Sequence, residues 1–188
     1  MEQSDHFKHV KSIYDNYKED EKLLNNLLPA NPELASFMQE HRKMFGKNLV
    51  VFCANFFELF TLDSLPILLS DKKTVCSFLR KQALDRRYHQ LFDWDKQNVN
   101  KFLTCFGENF REKISKEIEA DQDLKNKMGS FLELGRWRNK LVHEGFKLEA
   151  INEKSIDDIW SNFVKSCDFY KFILDKLKYE VEYIDYSI

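Results

Sequence analysis

FLELGRWRNKLVHEGF, residues 131–146, decides how the rest of the chain reads. At about 100° per residue, Phe131, Leu134, Leu141 and Val142 fall on one stripe, which extends back through Met128 and Leu124. A helix over Leu124 to Glu144 follows, stopped by Gly145, the residue expected just past a helix end. Arg138 falls close to the middle of the apolar stripe. A guanidinium cannot be neutralised and is almost never fully buried without a partner. His143 lies about 140° round from it, at the stripe's edge, where the partial negative charge of the helix end favours a protonated imidazole.

The same period recurs on either side. Asp5 to Leu28 carries Phe7, Val10, Ile13, Tyr14, Tyr17, Leu23, Leu24, Leu27 and Leu28, mostly at helical spacing. Pro29 and Pro32 end that helix and let a second begin near Glu33. The second runs through Phe37, Met44 and LVVFCANFFELF (49–60) toward Pro66 and is apolar on nearly every side near its middle, which predicts a buried central helix. Asp71 to Ala83 reads as a short basic helix, and Asp85 to Asp95 as an irregular connection. Asp95 is the expected cap of a helix running to Arg111 and beyond, with Gly107 as a break. Ser155 followed by Asp157 and Asp158 starts the last helix, Ile156 to about Glu182. The reading is all-α: a single domain over 1–188, a bundle of five to six helices. The acidic tail EVEYIDYSI (180–188) is assigned no role.

Composition agrees. Five Gly and three Pro in 188 residues are too few for a many-turned sandwich or barrel. With 43% apolar residues, 17 of them Phe, a real core can form, and 32% charged residues solvate the exterior. The start, MEQSDHFKHV, is charged from its second residue and reads as no signal peptide. The apolar run Leu49 to Phe60 is broken by Asn55 and Glu58, short of a membrane span. Cys53, Cys76, Cys105 and Cys167 form no CxxC pair, so the expectation is a reduced, cytoplasmic protein with no membrane partner. A net charge of −2 excludes nucleic-acid binding through bulk positive charge, so any RNA contact rests on a local patch.

Several residue groups carry candidate chemistry. Asn48, Asn55 and Glu58 lie within about 80° of one another on the central helix, and a carboxylate there needs a cation or a proton. The expectation is that Glu58 meets Arg138 where the helices pack; whether such a pair only fixes register stays open. Arg86, Arg87, Tyr88 and His89 form a basic and aromatic cluster. Residues 71–101 hold eight Lys/Arg against four Asp, a local net of +4. That stretch either guides RNA, with Tyr88 or Trp94 stacking on a base, or forms a solvated face pinned by Asp85 and Asp93. His6, His9 and His41 lack ligand spacing, so no metal site is expected. No glycine-rich phosphate loop or nucleophile elbow appears, against an NTPase or hydrolase of those kinds. Trp160, Phe163, Phe169, Tyr170 and Phe172 read as core or as a dimer seam.

The order Arg138, Asn139, three variable residues, His143 resembles the signature of the HEPN superfamily. FFEL (56–59) is similar to the acidic element of the earlier HEPN helix. ALDRRYHQLFDWDKQNVNKFLTCFGENF (83–110) and FLELGRWRNKLVHEGF resemble the RiboL-PSP-HEPN family. The resemblance implies a homodimer in which two Arg–His motifs share one cleft, and a metal-independent endoribonuclease needing no cofactor. By it His143 is general acid or base, Arg138 holds the phosphate, Asn139 orients its neighbours and Glu58 positions Arg138. Lys140, Arg136, Arg86, Arg87 and Tyr88 complete the substrate-binding set. The products implied are a 2′,3′-cyclic phosphate and a 5′-hydroxyl. The implied role is a toxin or anti-phage defence effector, with RNA as substrate and an antitoxin or regulatory protein as partner. Gly145 stands where adenylylated HEPN toxins carry a Tyr, against that form of control. A non-catalytic helical module that binds a protein or nucleic acid is the alternative.

Overall fold

The computed structural model describes residues 1–145 and 149–182. Phe146 and most of the acidic tail therefore lie outside the described residues. The chain is all-α: 82% is helical and the described residues contain no strand, only an isolated bridge between Asp93 and Asn98. Among the described residues seven α-helices follow in order: α1 (Asp5–Leu27), α2 (Leu34–Leu69), α3 (Lys73–Leu79), α4 (Asn100–Thr104), α5 (Glu108–Ala120), α6 (Gln122–His143) and α7 (Ile156–Glu182).

The termini follow local chemistry. Ser4 Oγ accepts from the Phe7 amide at 3.2 Å and opens α1. Ser155 and Asp158 bond reciprocally, Asp158 N to Ser155 Oγ at 3.0 Å and Ser155 N to Asp158 Oδ2 at 3.1 Å, which opens α7. Gly145 takes a φ of 61° just past α6, and Gly107 a φ of 102° between α4 and α5. That second glycine separates two helices at the expected break, and the first of them, α4, is short. Asp95 caps neither. The helix starts after Val99, whose side chain offers no cap, and the Asn98 amide oxygen accepts from Asn100 N at 3.2 Å. The basic stretch is α3 followed by one π-helical turn, Arg80–Leu84.

By packing, the chain divides into two compact units: residues Met1–Phe56 with Leu134–Phe163, and Phe57–Glu133 with the chain from Val164 onward. In the first unit Phe7 stacks on Phe163 (centroids 5.6 Å) while Phe56 meets Phe163 edge-on at 5.2 Å. Gly46 lets α2 approach the start of α7, since a Cβ there would stand 3.4 Å from Ile156 Cδ1. In the second unit Phe131 is the hub, ringed by Phe57 and Phe92 at 5.1 Å and Tyr170 at 5.6 Å. Thr61 donates to the Phe57 carbonyl, which leaves Tyr170 to donate to Thr61, each at 2.5 Å. Burial pushes the Tyr170 hydroxyl up, which keeps it a neutral donor.

Helix α2 departs from expectation. Phe37, Met44, Phe52, Leu59 and Ile67 on it are exposed, so it is not buried all round. As one unbroken helix it is also long and apolar enough to cross a membrane, with mean hydropathy 1.5 over its most apolar window. Counting only uninterrupted apolar residues hides this, because Asn55 and Glu58 split the run. In the fold 44% of that window is buried. Pro66 does not end it; the helix runs three residues further, and Ser70 N donates to the Pro66 carbonyl at 3.1 Å.

Two outcomes follow. Phe131→Ala lowers the free energy of unfolding by about 3–5 kcal/mol in urea titration, whereas exposed Phe78→Ala stays within about 0.5 kcal/mol. Stability also depends on pH through the first unit, where Tyr14 Oη donates to Asp157 Oδ1 at 2.5 Å. That bond holds the Asp157 carboxyl below its ordinary 3.8, and burial together with the same bond pushes Tyr14 from 10.0 up to about 12. The depressed carboxyl contributes stability above its unfolded pKa and loses it as pH falls through the folded one. The raised hydroxyl contributes below 10.0 and loses it as pH climbs through about 12. Tyr14→Phe therefore flattens the alkaline limb of melting temperature against pH, and Asp157→Asn the acid limb.

Candidate functional site

Residues 136–145 gather most of the motif in the first unit. The last turns of α6 carry Arg136, Arg138 and Lys140, all half-buried, with His143 exposed at the helix end. Arg138 Nη1 donates to Asn139 Oδ1 at 3.3 Å. Its Nε is buried with no hydrogen-bond partner among the described residues. No carboxylate among them stands within the 4.0 Å ion-pair distance of Arg136, Arg138 or Lys140. Elsewhere the pattern differs: Arg42 pairs with Glu21 at 2.7 Å and Arg111 with Glu108 at 2.6 Å. Buried polar atoms are normally satisfied, so a guanidinium with one N–H sealed off and no acid is suited to an anion. Trp137 is buried between these cations in sequence, and Lys154 lies over its ring, 5.7 Å from the centroid. Lys154 adds a further cation beside α6, and no periodicity in the sequence signals it. Asn55 Oδ1 and Asn152 Oδ1 are two more buried oxygens without a partner in this unit.

Glu58 belongs to the second unit, where an imidazole lies beside it. Its Oε2 stands 3.0 Å from His89 Nε2, an ion pair when the ring is protonated. The wheel could compare only helices, and the irregular connection after α3 brings the imidazole to the acid.

The basic–aromatic cluster splits by burial. Arg86 and Arg87 are exposed and make no ion pair among the described residues, and Arg86 holds a left-handed φ of 60°. Tyr88 and Trp94 are buried, at 2% and 7% exposure, so neither is presented to a base. Both rings pack around Phe92, and Trp94 Nε1 donates to the His89 carbonyl at 2.9 Å. The stacking role expected of Tyr88 and Trp94 is therefore withdrawn. Asp93 pins the connection, as expected of a solvated face, by accepting from Lys96 N at 3.1 Å. The described residues contain no cluster of three or more His, Cys, Asp or Glu placed to hold a metal ion, and all four cysteines are free thiols.

This all-α chain is a member of the HEPN superfamily. Within it, the RiboL-PSP-HEPN family model matches residues 15–179, nearly the whole chain, and the protein belongs to that family. Comparison with curated proteins and with solved structures gives no match.

Exposure separates chemistry from packing in this motif. His143→Ala changes unfolding free energy by less than about 0.5 kcal/mol, since the ring faces solvent. Buried Trp137→Ala, six residues earlier, costs about 3–5 kcal/mol in the same denaturant titration.

Proposed function

We propose that the protein is a metal-independent endoribonuclease that works as a homodimer. Membership of the HEPN class supports an RNA-related role. The observation that carries the finer reading is the half-buried Arg138, with no carboxylate within ion-pair distance among the described residues, five residues before an exposed His143. A phosphodiester supplies the anion that the fold withholds.

The steps follow from what each group can donate or accept. Arg138 presents a planar fork to the non-bridging oxygens and stabilises the charge that grows on them at the transition state. Asn139, bonded to Arg138, holds the fork in place. Neutral His143 takes the proton of a ribose 2′-hydroxyl, and the 2′-oxygen attacks phosphorus. The bond to the 5′-oxygen breaks, and an imidazolium returns a proton to that leaving oxygen. A 2′,3′-cyclic phosphate and a 5′-hydroxyl result. One motif supplies one histidine, so a two-histidine reaction takes the second from another copy under two-fold symmetry. Val142, exposed at 47% beside His143, gives that copy an apolar contact. Arg136 and Lys140 extend the anion site along α6, and exposed Arg86 and Arg87 provide further phosphate contacts. The setting that suits this activity is the cytoplasm, restrained by an antitoxin or regulatory protein, in a toxin or phage-defence role.

Purified protein incubated with total cellular RNA tests the proposal. Wild type yields fragments ending in 2′,3′-cyclic phosphate with and without EDTA; His143→Ala and Arg138→Ala lower the rate at least ~100-fold while remaining folded. Absence of cleavage by the wild-type dimer in every RNA pool rejects the enzyme. Cleavage that survives His143→Ala rejects the assigned chemistry, and a protein that binds RNA without cutting it is the helical module instead.

A further inference from the structure

The second unit contains a cavity of about 350 Å³ that takes no part in the chemistry above. Its walls come from separate stretches: the end of α2 (Leu65, Pro66, Leu69), the π-helical turn (Ala83, Leu84), and Phe102 of α4. Leu79, Leu91, Cys105 and Phe106 complete the lining, so among these residues the one side-chain heteroatom is a thiol. That thiol already has an acceptor, the Lys101 carbonyl at 3.4 Å.

We propose that this cavity is a binding site for a small uncharged apolar molecule, aliphatic or aromatic. The volume falls in the range of small-molecule sites, roughly 300–1,000 Å³. A buried water needs two to four polar partners, which these walls do not offer, whereas apolar cavities accept apolar guests. The concave shape, built from segments that converge from several directions, suits a small occupant better than the flat face of a protein.

The surrounding backbone is shaped for the opening. Pro66 removes one donor from the last turns of α2, and the Cys76 thiol ties α3 to that end by donating to the carbonyls of Pro66 (3.3 Å) and Ser70 (3.1 Å). The π-helical turn Arg80–Leu84 then forms one wall. Such turns are rare and gather at functional sites. Replacing it by a regular α turn would rotate Ala83 and Leu84 off the wall, since each residue's direction shifts with the period. The proposal is independent of the ribonuclease reading, because no residue of the α6 motif lines the cavity.

The probe is 1-octanol, titrated below its solubility limit into the full-length protein. Two readouts apply: methyl resonances of the lining leucines, and the rate at which iodoacetamide alkylates exposed Cys105, measured by peptide mass spectrometry. Expected are saturable shifts confined to Leu65, Leu69, Leu79, Leu84 and Leu91, and alkylation slowed about tenfold at nine-tenths occupancy. Ala83→Phe fills the space and abolishes both effects. If that variant does not fold, Leu69→Phe replaces it, and protection of Cys105 in the wild type decides alone. Shifts that never saturate, that spread over the whole surface, or that persist in the filled variant overturn the proposal.

Discussion

Arginine keeps its charge at every pH a protein meets, so a fold that draws a guanidinium partly out of water must answer it with an anion. Arg138 is drawn in by its place on the apolar stripe of α6, between Leu134 and Leu141, both fully buried. Among the described residues only Asn139 answers it, through a neutral oxygen. Neutral partners satisfy hydrogen bonds without cancelling charge, which leaves the site electropositive. Arg136 and Lys140, with no acid within ion-pair distance among the described residues, reinforce it. The chemistry proposed here is a consequence of that imbalance.

The packing that surrounds the motif keeps the imbalance in place. Helix α6 changes units at Leu134: its earlier half, around Phe131, is anchored in an aromatic core, and its later half carries the cations. The side chains that fix the helix are thus separate from those that face an anion. Such a division lets His143 and the exposed arginines vary with substrate while Phe131, Trp137 and Leu141 hold the scaffold. The cavity in the second unit illustrates the converse, a place where local backbone irregularity rather than charge shapes the surface.

Much of this was legible in the residues. Helical spacing and end signals located α1, α6 and α7 closely, because Ser155 acts through a bond three residues on and Gly145 through its own backbone angle. The Arg138–His143 motif was legible for the same reason, being contained in two turns of one helix. What failed depended on distant chain. The wheel placed Glu58 among apolar residues correctly, but could not see that the connection after α3 would deliver His89 to it. Tyr88 and Trp94 looked available beside Arg86 and Arg87, yet aromatic rings next to charges are still drawn inward when Phe92 and Phe131 offer a core. The burial of α2 was overread, since an apolar composition does not say which of its faces finds a partner. The π turn leaves no compositional trace, so neither it nor the cavity it borders was anticipated.

The central claim is that the Arg138 guanidinium is held for a phosphodiester. The most direct measurement observes that group itself, through the ¹⁵N–¹H resonance of its Nε during titration with a 2′-O-methyl oligoribonucleotide that cannot be cleaved. The account predicts a large, saturable downfield shift of this resonance and slowed exchange of its proton with water, at concentrations where the His143 ring also responds. A resonance that moves no more than that of Arg42, already paired with Glu21, would contradict it.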